Sequence, residues 1–232
     1  MNKKVLIIII IVSSIILIAG GVIAYVVVKN MDDNCEQNQF YQSSEYPALD
    51  KPIIYLYPEE ETEINVKVSN SELLTHTYPK YNEQTGWNVI AQPNGDLTDT
   101  KTGRNLYSLY WEGKDASKID MTEGFVIKGE ETIEFLEEKL AILGLTEREA
   151  NEFIIYWLPK LESNKYNYII FRTTEEIEEY MQLEVVPKPD SIIRVYMDFK
   201  SIEKEIEVKE QQLKTPTRKG YTLVEWGGRE LI

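Results

Sequence analysis

The chain has 232 residues, 43% of them hydrophobic, and a formal net charge of −14. Residues 1–30 hold three lysines and no acidic residue, which leaves 22 basic and 39 acidic residues, a net charge of −17, in the rest of the chain. That acidic field argues against nucleic acid as a partner. A single cysteine excludes an internal disulfide framework, and one cysteine with one histidine excludes an ordinary structural zinc site. We therefore predict no metal and no cofactor.

The N-terminal segment has the length and composition of a membrane anchor. Residues 5–28 form a run of 24 uncharged, mostly aliphatic residues. As a helix the run would span roughly 36 Å, enough for the ~30 Å hydrocarbon layer of a bilayer. Lys3 and Lys4 precede it and acidic residues follow it, so the positive-inside tendency places the N-terminus in the cytoplasm. We expect a single-pass cell-membrane protein with an extracytoplasmic C-terminal domain; a cleaved signal peptide is the alternative.

Residues 31–50 are typical of a linker between the anchor, residues 1–30, and a folded domain, residues 51–232. The segment is polar, contains Ser and Pro and shows no hydrophobic period. Cys35 lies within it, where the thiol could link two chains as a disulfide-bonded dimer or remain free. A thiol–imidazole dyad with His76 is a further alternative, although His76 stands in an alternating stretch that is typical of a strand.

The first half of the folded domain has the pattern of an antiparallel sheet. Alternating or apolar runs recur at short spacing, and Asn94-Gly95 has the chemistry of a hairpin turn. The predicted strands are 52–58, 63–68, 73–79, 86–92 and 105–112. A sandwich or an open barrel would accommodate them.

The pattern changes to a helical period near residue 130. Ile133, Leu136 and Leu140 recur at helical spacing, and Thr146 with Glu149 forms the capping-box signature of a second helix, which we expect to end at Pro159. This predicts a helical hairpin over 130–162.

Strands follow the hairpin again. They are predicted at 166–172, 182–186, 191–199, 205–209 and 221–226, with a short helix at 174–181. The predicted fold class is α+β: an N-terminal transmembrane helix, then a single, largely antiparallel, sandwich-like β domain (β segments 52–112 and 166–226) with an inserted helical hairpin.

Four separated motifs occur in this domain, namely "KPIIYLYP", "GWNVIAQPNGDL", "YWLP" and the C-terminal "EWGGRE". In this order they resemble a family of uncharacterised bacterial and fungal proteins. The resemblance covers about residues 51–230 and excludes the anchor. It implies no reaction, cofactor or site residue.

Two predicted strands end in adjacent Trp and Glu residues followed by glycine, at Trp111-Glu112 and at Glu225-Trp226. A functional hypothesis follows: Trp111, Trp226 and Tyr110 line a binding cleft, and Glu112 and Glu225 act in it as a catalytic pair. Two carboxylates about 5–9 Å apart are the machinery of glycoside hydrolysis.

The structural alternative is that the tryptophans are core residues, because strands commonly bury them. Side chains alternate along a strand, so a core-facing Trp226 predicts an outward-facing Glu225, whereas core-facing Tyr221 and Leu223 would bury Glu225 and require a partner for it. We favour this alternative. The expected function is therefore a membrane-anchored, extracytoplasmic domain that binds a protein or glycan ligand without catalysis, and the alternative function is an extracytoplasmic glycan hydrolase that uses Glu112 and Glu225.

Overall fold

The computed structural model describes residues 48–231, apart from 116 and 118. The predicted anchor at 5–28 and Cys35 lie outside the described residues. No helix within the described part of the chain is long and apolar enough to cross a membrane.

The described residues form thirteen strands and three α-helices. In chain order the strands are β1 (Ala48–Tyr57), β2 (Thr62–Val68), β3 (Leu74–Tyr78), β4 (Trp87–Ala91), β5 (Leu97–Asp99), β6 (Asn105–Leu106), β7 (Leu109–Lys114), β8 (Glu123–Lys128), β9 (Tyr166–Thr173), β10 (Leu183–Val186), β11 (Ser191–Ile202), β12 (Lys209–Glu210) and β13 (Thr222–Glu230). The helices are α1 (Thr132–Ile142), α2 (Glu147–Leu161) and α3 (Thr174–Glu178). Short 3-10 turns lie at Ser71–Leu73 and Gly129–Glu131.

The strands form two sheets. The larger sheet has the order β12-β8-β9-β11-β13-β1-β7-β3, and the smaller has the order β10-β2-β4-β5-β6. In the larger sheet β11 runs parallel to β13, and β12 runs parallel to β8, whereas the other pairs are antiparallel.

The central strands of the larger sheet, such as β1, β11 and β13, are buried on both faces. Its sandwich face contributes residues such as Ile54, Leu109 and Trp111 to a core shared with Val66 and Trp87 of the smaller sheet. Its helix face packs against the helical hairpin in a second core, which includes Ile53, Tyr55, Val224, Trp226, Leu140, Phe153 and Trp157. The domain is therefore β-rich, with two sheets and an inserted helical hairpin, as the hydrophobic pattern predicted.

The local helix signals were accurate, with one exception. The Thr146 amide donates to Glu149 Oε2 at 2.7 Å, and the Glu149 amide donates to Thr146 Oγ1 at 3.4 Å, so the capping box is formed. The prediction that α2 ends at Pro159 is wrong, since the helix continues to Leu161. The side-chain amide nitrogen Nδ2 of Asn167 donates to the Leu161 carbonyl at 3.0 Å, which satisfies a backbone acceptor at this extended end.

Several strand predictions need correction. The first strand starts at Ala48 inside the predicted linker, because Leu49 is buried in the sandwich core. The predicted strand at 105–112 is two strands, β6 and β7, which belong to different sheets. β5 and β8 were not predicted. Segment 205–209 alternates in sequence, but it is largely exposed, and only Lys209 pairs with a neighbouring strand.

The glycines of the C-terminal "EWGG" permit close packing. A Cβ on Gly228 would lie 2.2 Å from the Met197 carbonyl oxygen and 2.8 Å from the Trp157 ring. A Cβ on Gly227 would lie 3.1 Å from the Pro52 Cα. The absence of side chains thus lets β13 lie against Trp157 on one side and against β1 on the other.

Candidate functional site

Glu225, one of the two predicted catalytic carboxylates, is completely buried on the sandwich face. It accepts hydrogen bonds from Trp111 Nε1 at 2.8 Å and from Tyr196 Oη at 2.9 Å, and Arg194 Nε lies 2.6 Å from its Oε2. The expectation that Glu225 points outward is therefore wrong. It fails because β13 is buried on both faces, so a core-facing Trp226 does not leave its neighbour in solvent.

Glu112 lies on the opposite, helix face of the same sheet. Paired residues of neighbouring strands point to the same face, so Glu225 shares the face of Ile54, with which it pairs. Tyr110 pairs with the next residue, Ile53, and therefore lies on the other face, as does Glu112 two residues after Tyr110. The side chain of Glu112 is 29% exposed, and its Oε2 lies 3.4 Å from His76 Nδ1. The sheet separates the two carboxylates, so the convergent pair required by the hydrolase hypothesis is not formed.

Glu225 belongs to a polar stripe within the core, which we define as Arg172, Arg194, Tyr196, Asp198, Glu225 and Arg229. Arg172 Nε lies 2.6 Å from Asp198 Oδ2, and Arg229 Nε lies 3.0 Å from Asp198 Oδ1. The guanidinium groups of Arg172 and Arg194 lie 5.4 and 5.8 Å from the centre of the Tyr196 ring.

Charge pairing explains how the polar stripe is tolerated in the core. Burial disfavours the Arg194 cation, but Glu225 and the other neighbouring anionic groups outweigh that effect and raise the pKa of Arg194. Burial together with the negative charge of Glu225 raises the pKa of Tyr196, which therefore stays neutral and donates to Glu225. Because these side chains are almost inaccessible, the polar stripe is part of the core architecture.

Of the three predicted binding aromatics, only Tyr110 is partly exposed. Trp111 and Trp226 are both fully buried. The Trp226 ring packs edge-on against Phe153 at 5.3 Å between centroids, and its Nε1 donates to Tyr55 Oη at 3.2 Å. The structural interpretation of Trp226 is thus confirmed, and the two tryptophans do not line a cleft.

An accessible cleft of about 330 Å³ lies elsewhere, around Tyr110. We call it the tyrosine cleft; it is lined by Lys51, Ile53, Tyr78, Asn105, Leu106, Tyr107, Ser108 and Tyr110. Tyr78 at the end of β3 is 53% exposed, and Tyr107 in the β6–β7 connection is 47% exposed. Large aromatic side chains that remain this accessible beside a concavity can contact a ligand without rearrangement of the core.

The charged residue among those lining the cleft, Lys51, has an unusual backbone. Its φ is +53°, in the left-handed region that non-glycine residues seldom adopt. The register of β1 shifts at this point in its pairing with both neighbours, which is the signature of a β-bulge. The ammonium lies 4.9 Å from the centre of the Tyr156 ring and 5.6 Å from that of Trp226.

The hydroxyl groups of Tyr107 and Tyr110 beside the cleft are neutral hydrogen-bonding groups. Burial, followed by the hydrogen bond and the negative charge of Glu112, raises the pKa of Tyr110. Burial, followed by the charge of Glu152, raises the pKa of Tyr107. Both hydroxyls therefore keep their protons at neutral pH, so the cleft presents flat apolar rings with polar tips.

Sequence reasoning missed Lys51, Tyr78 and Tyr107. The two tyrosines lie in short polar contexts, "THTYP" and "NLYSLY", that suggest exposed positions, but they are 29 residues apart in the sequence. Their proximity depends on the position of β3 beside β7 at the edge of the sheet. The bulge that positions Lys51 requires β13 and β7 on either side, so no local pattern reveals it.

Acidic side chains concentrate in a separate groove between α1 and segment 205–210. Glu131, Glu134 and Glu207 are among the residues lining it, together with Lys139. The described residues contain no group of three His, Cys, Asp or Glu side chains arranged to hold a metal ion. We assign no cation to this groove.

Comparison with known proteins gives one informative likeness. No family model matches the chain, and no solved structure matches it. An uncharacterized protein in the bglA 3′ region of Butyrivibrio fibrisolvens is 41% identical over 64 residues, which is 27% of this chain. The match spans 65% of that relative, slightly less than two thirds of its length. Over these 64 residues the chain is therefore similar to an uncharacterized bacterial protein, and the wider four-motif resemblance stays a prediction.

Proposed function

We propose that this chain is a membrane-anchored, extracytoplasmic binding protein without catalytic activity, and that its tyrosine cleft takes a saccharide. The anchor is the apolar segment 5–28, and the basic flank at Lys3 and Lys4 supports an N-terminus in the cytoplasm. The observation that carries the binding function is the pair of half-exposed rings of Tyr78 and Tyr107 beside one cleft.

The ligand class follows from the chemistry of the cleft. A pyranose ring has an apolar C–H face and a rim of hydroxyl groups. Tyrosine offers a matching combination, because its ring is apolar and its hydroxyl both donates and accepts hydrogen bonds. Asn105 and Ser108 add side-chain amide and hydroxyl groups at the same cleft.

The absence of catalysis is supported by the positions of the two glutamates. Glu225 is buried and paired with Arg194, while Glu112 is on the other face of the sheet. A glycosidase needs both carboxyl groups on the same substrate bond. Binding without cleavage is therefore the expected outcome.

The binding part of the proposal is tested with the full-length protein in detergent and a panel of di- to tetrasaccharides. Binding is measured by calorimetric titration, and release of new reducing ends is measured in the same samples. We expect at least one saccharide to bind and to be recovered intact. Failure of the whole panel to bind, or cleavage that Glu112→Gln abolishes, would reject the proposed function.

The location is tested separately on cells or spheroplasts that express the full chain. External protease should degrade the C-terminal domain while the membrane is intact. Protection of that domain until the membrane is broken would contradict the proposed orientation. Release of soluble protein trimmed near residue 30 would favour a cleaved signal peptide over an anchor.

A further inference from the structure

The backbone at Lys51 stores strain at the edge of the tyrosine cleft. A non-glycine residue in the left-handed region costs on the order of 1–3 kcal/mol, and such residues persist where the surrounding structure imposes them. Here the bulge in β1 imposes the left-handed conformation on Lys51. Pro52, the next residue along β1, fits against β13 because Gly227 has no side chain. As a result Lys51 lines the cleft, and its ammonium lies over the rings of Tyr156 and Trp226.

The charge of Lys51 is not neutralised by a carboxylate. The preceding residue, Asp50, forms an ion pair with Lys160, whose Nζ lies 2.7 Å from Asp50 Oδ2. Among the described residues Lys51 makes no ion pair, and its ammonium instead contacts the rings of Tyr156 and Trp226. Lys51 is thus the charged side chain among the residues that line the cleft, and it has no ion-pair partner there, whereas the carboxylates of Glu112 and Glu152 lie close enough to act on Tyr110 and Tyr107.

We propose that Lys51 selects a saccharide that carries a carboxylate, such as a uronic acid residue; this rests on the proposed saccharide-binding function of the cleft. The sugar ring lies against the rings of Tyr78 and Tyr107, and the Lys51 ammonium donates a charge-assisted hydrogen bond to the carboxylate. The bulge places Lys51 among the residues that line the cleft before the ligand arrives, and its long side chain turns from the rings of Tyr156 and Trp226 to reach the carboxylate.

A carboxylate fits this site better than a phosphate does. One ammonium is a point charge with three donors, whereas phosphate sites commonly combine an arginine fork, a helix N-terminus or several cations. The residues that line the cleft include one cationic side chain and no arginine. A densely charged polyanion is also disfavoured, because the chain as a whole is acidic.

The test uses matched pairs of short oligosaccharides, each a di- to tetrasaccharide that carries one uronic acid residue and its carboxyl-reduced, neutral counterpart. The pairs cover galacturonate, glucuronate and mannuronate. Full-length protein in detergent is titrated with each member, and the ratio of the two Kd values is recorded. We expect at least one pair in which the acidic sugar binds about tenfold tighter, with a preference that shrinks as salt is added.

Variants at Lys51 show whether this residue causes the preference for the acidic sugar. Lys51→Gln should bring the ratio of Kd values to about one, and Lys51→Arg should retain the preference. Lys101→Gln removes an exposed lysine that does not line the cleft, so it should change nothing. Thermal unfolding of each variant confirms that the fold is kept.

The outcomes separate this inference from the function on which it rests. Equal affinity for both members of every pair, or a preference unchanged in Lys51→Gln, would overturn the role of Lys51. The saccharide-binding function of the cleft would still hold in that case if Tyr107→Ala weakens binding. A complete lack of binding across the panel would reject the saccharide cleft and this inference together.

Discussion

The Trp111 indole donates a hydrogen bond of 2.8 Å to Glu225, a residue 114 positions further along the chain. The two Trp–Glu pairs of the sequence are therefore divided between the faces of one sheet. Trp111 and Glu225 lie together on the sandwich face, and Glu112 and Trp226 lie on the helix face. This division separates the two glutamates of the predicted catalytic pair and gives both tryptophans a structural role.

Replacing the buried carboxylate of Glu225 should destabilise the domain strongly. In Glu225→Gln the Arg194 guanidinium loses a fully buried charge partner, and breaking a buried ion pair costs about 3–5 kcal/mol. For a domain of this size that corresponds to a fall of roughly 6–20 °C in melting temperature. The matched control is Glu112→Gln, which changes a partly exposed carboxylate and should melt within a few degrees of the parent. Equal melting temperatures for the two variants would mean that the Arg194–Glu225 pair contributes little to stability.

Truncating Trp226 should have a comparable effect for a different reason. The ring fills space between Phe153 and the strands of the helix face, so Trp226→Ala leaves a cavity and should cost about 3–5 kcal/mol. Thermal unfolding measures the loss. Phe at this position keeps most of the volume and should recover part of the stability. A Trp226→Ala variant that melts like the parent but no longer binds ligand would assign the ring to a binding surface instead.

Gly228 should tolerate no side chain. Gly228→Ala places a methyl group 2.2 Å from the Met197 carbonyl oxygen, which forces β11 and β13 apart and should cost about 1–3 kcal/mol or more. Gly103→Ala is an informative comparison, since its Cβ would meet nothing within 4 Å although its φ is +70°. It reports backbone strain alone, which we expect to cost about 1–2 kcal/mol. If Gly103→Ala proved the more damaging of the two, the packing explanation for Gly228 would fail.

Acid should weaken the start of α2 through Glu149. Burial alone would raise the pKa of Glu149, but hydrogen bonds from Arg218 and from the Thr146 amide outweigh burial and lower it from its usual 4.5. Because the folded-state pKa lies below the unfolded one, this group stabilises the fold above about pH 4.5, and the contribution is lost as pH falls through the folded-state pKa.

Glu149→Gln should therefore have a lower melting temperature than the parent at pH 7, and the difference in melting temperature should become smaller below pH 4. Melting temperatures measured from pH 7 to pH 3 give the comparison. Glu147→Gln is the matched control, because Glu147 lies in the same first turn of α2 but is exposed. A difference between parent and Glu149→Gln that stays constant with pH would contradict the role of the Arg218–Glu149 pair.

The elements that sequence predicted well are those whose signals are local. The spacing of Leu136 and Leu140 and the capping box of Thr146 and Glu149 lie within a few residues of one another, so they identified the hairpin. The alternation of Ile64, Val66 and Val68 identified β2, because one face of that strand is buried and the other is partly exposed.

The elements that sequence missed depend on contacts between distant segments. In β13 both faces are buried, so alternation could not tell whether Glu225 or Trp226 faces the core; in fact both do. The pattern at 205–209 has the same alternation as a strand, but the segment is largely exposed and stays mostly unpaired. The tyrosine cleft is assembled from β1, the end of β3 and the β6–β7 connection, so its residues are neighbours only after the sheet has formed.

The proposed role of the tyrosine cleft is tested most directly by one comparison, the saccharide affinity of Tyr107→Ala against that of Tyr180→Ala. Both residues expose a large aromatic ring, 47% and 42% respectively, but Tyr180 does not line the cleft. We predict that Tyr107→Ala weakens binding at least tenfold while its melting temperature stays within about 2 °C of the parent, because surface substitutions usually change stability by no more than about 0.5 kcal/mol. Tyr180→Ala should bind like the parent. Unchanged affinity in Tyr107→Ala, or an equal loss in both variants, would contradict the assignment of the tyrosine cleft as the ligand site.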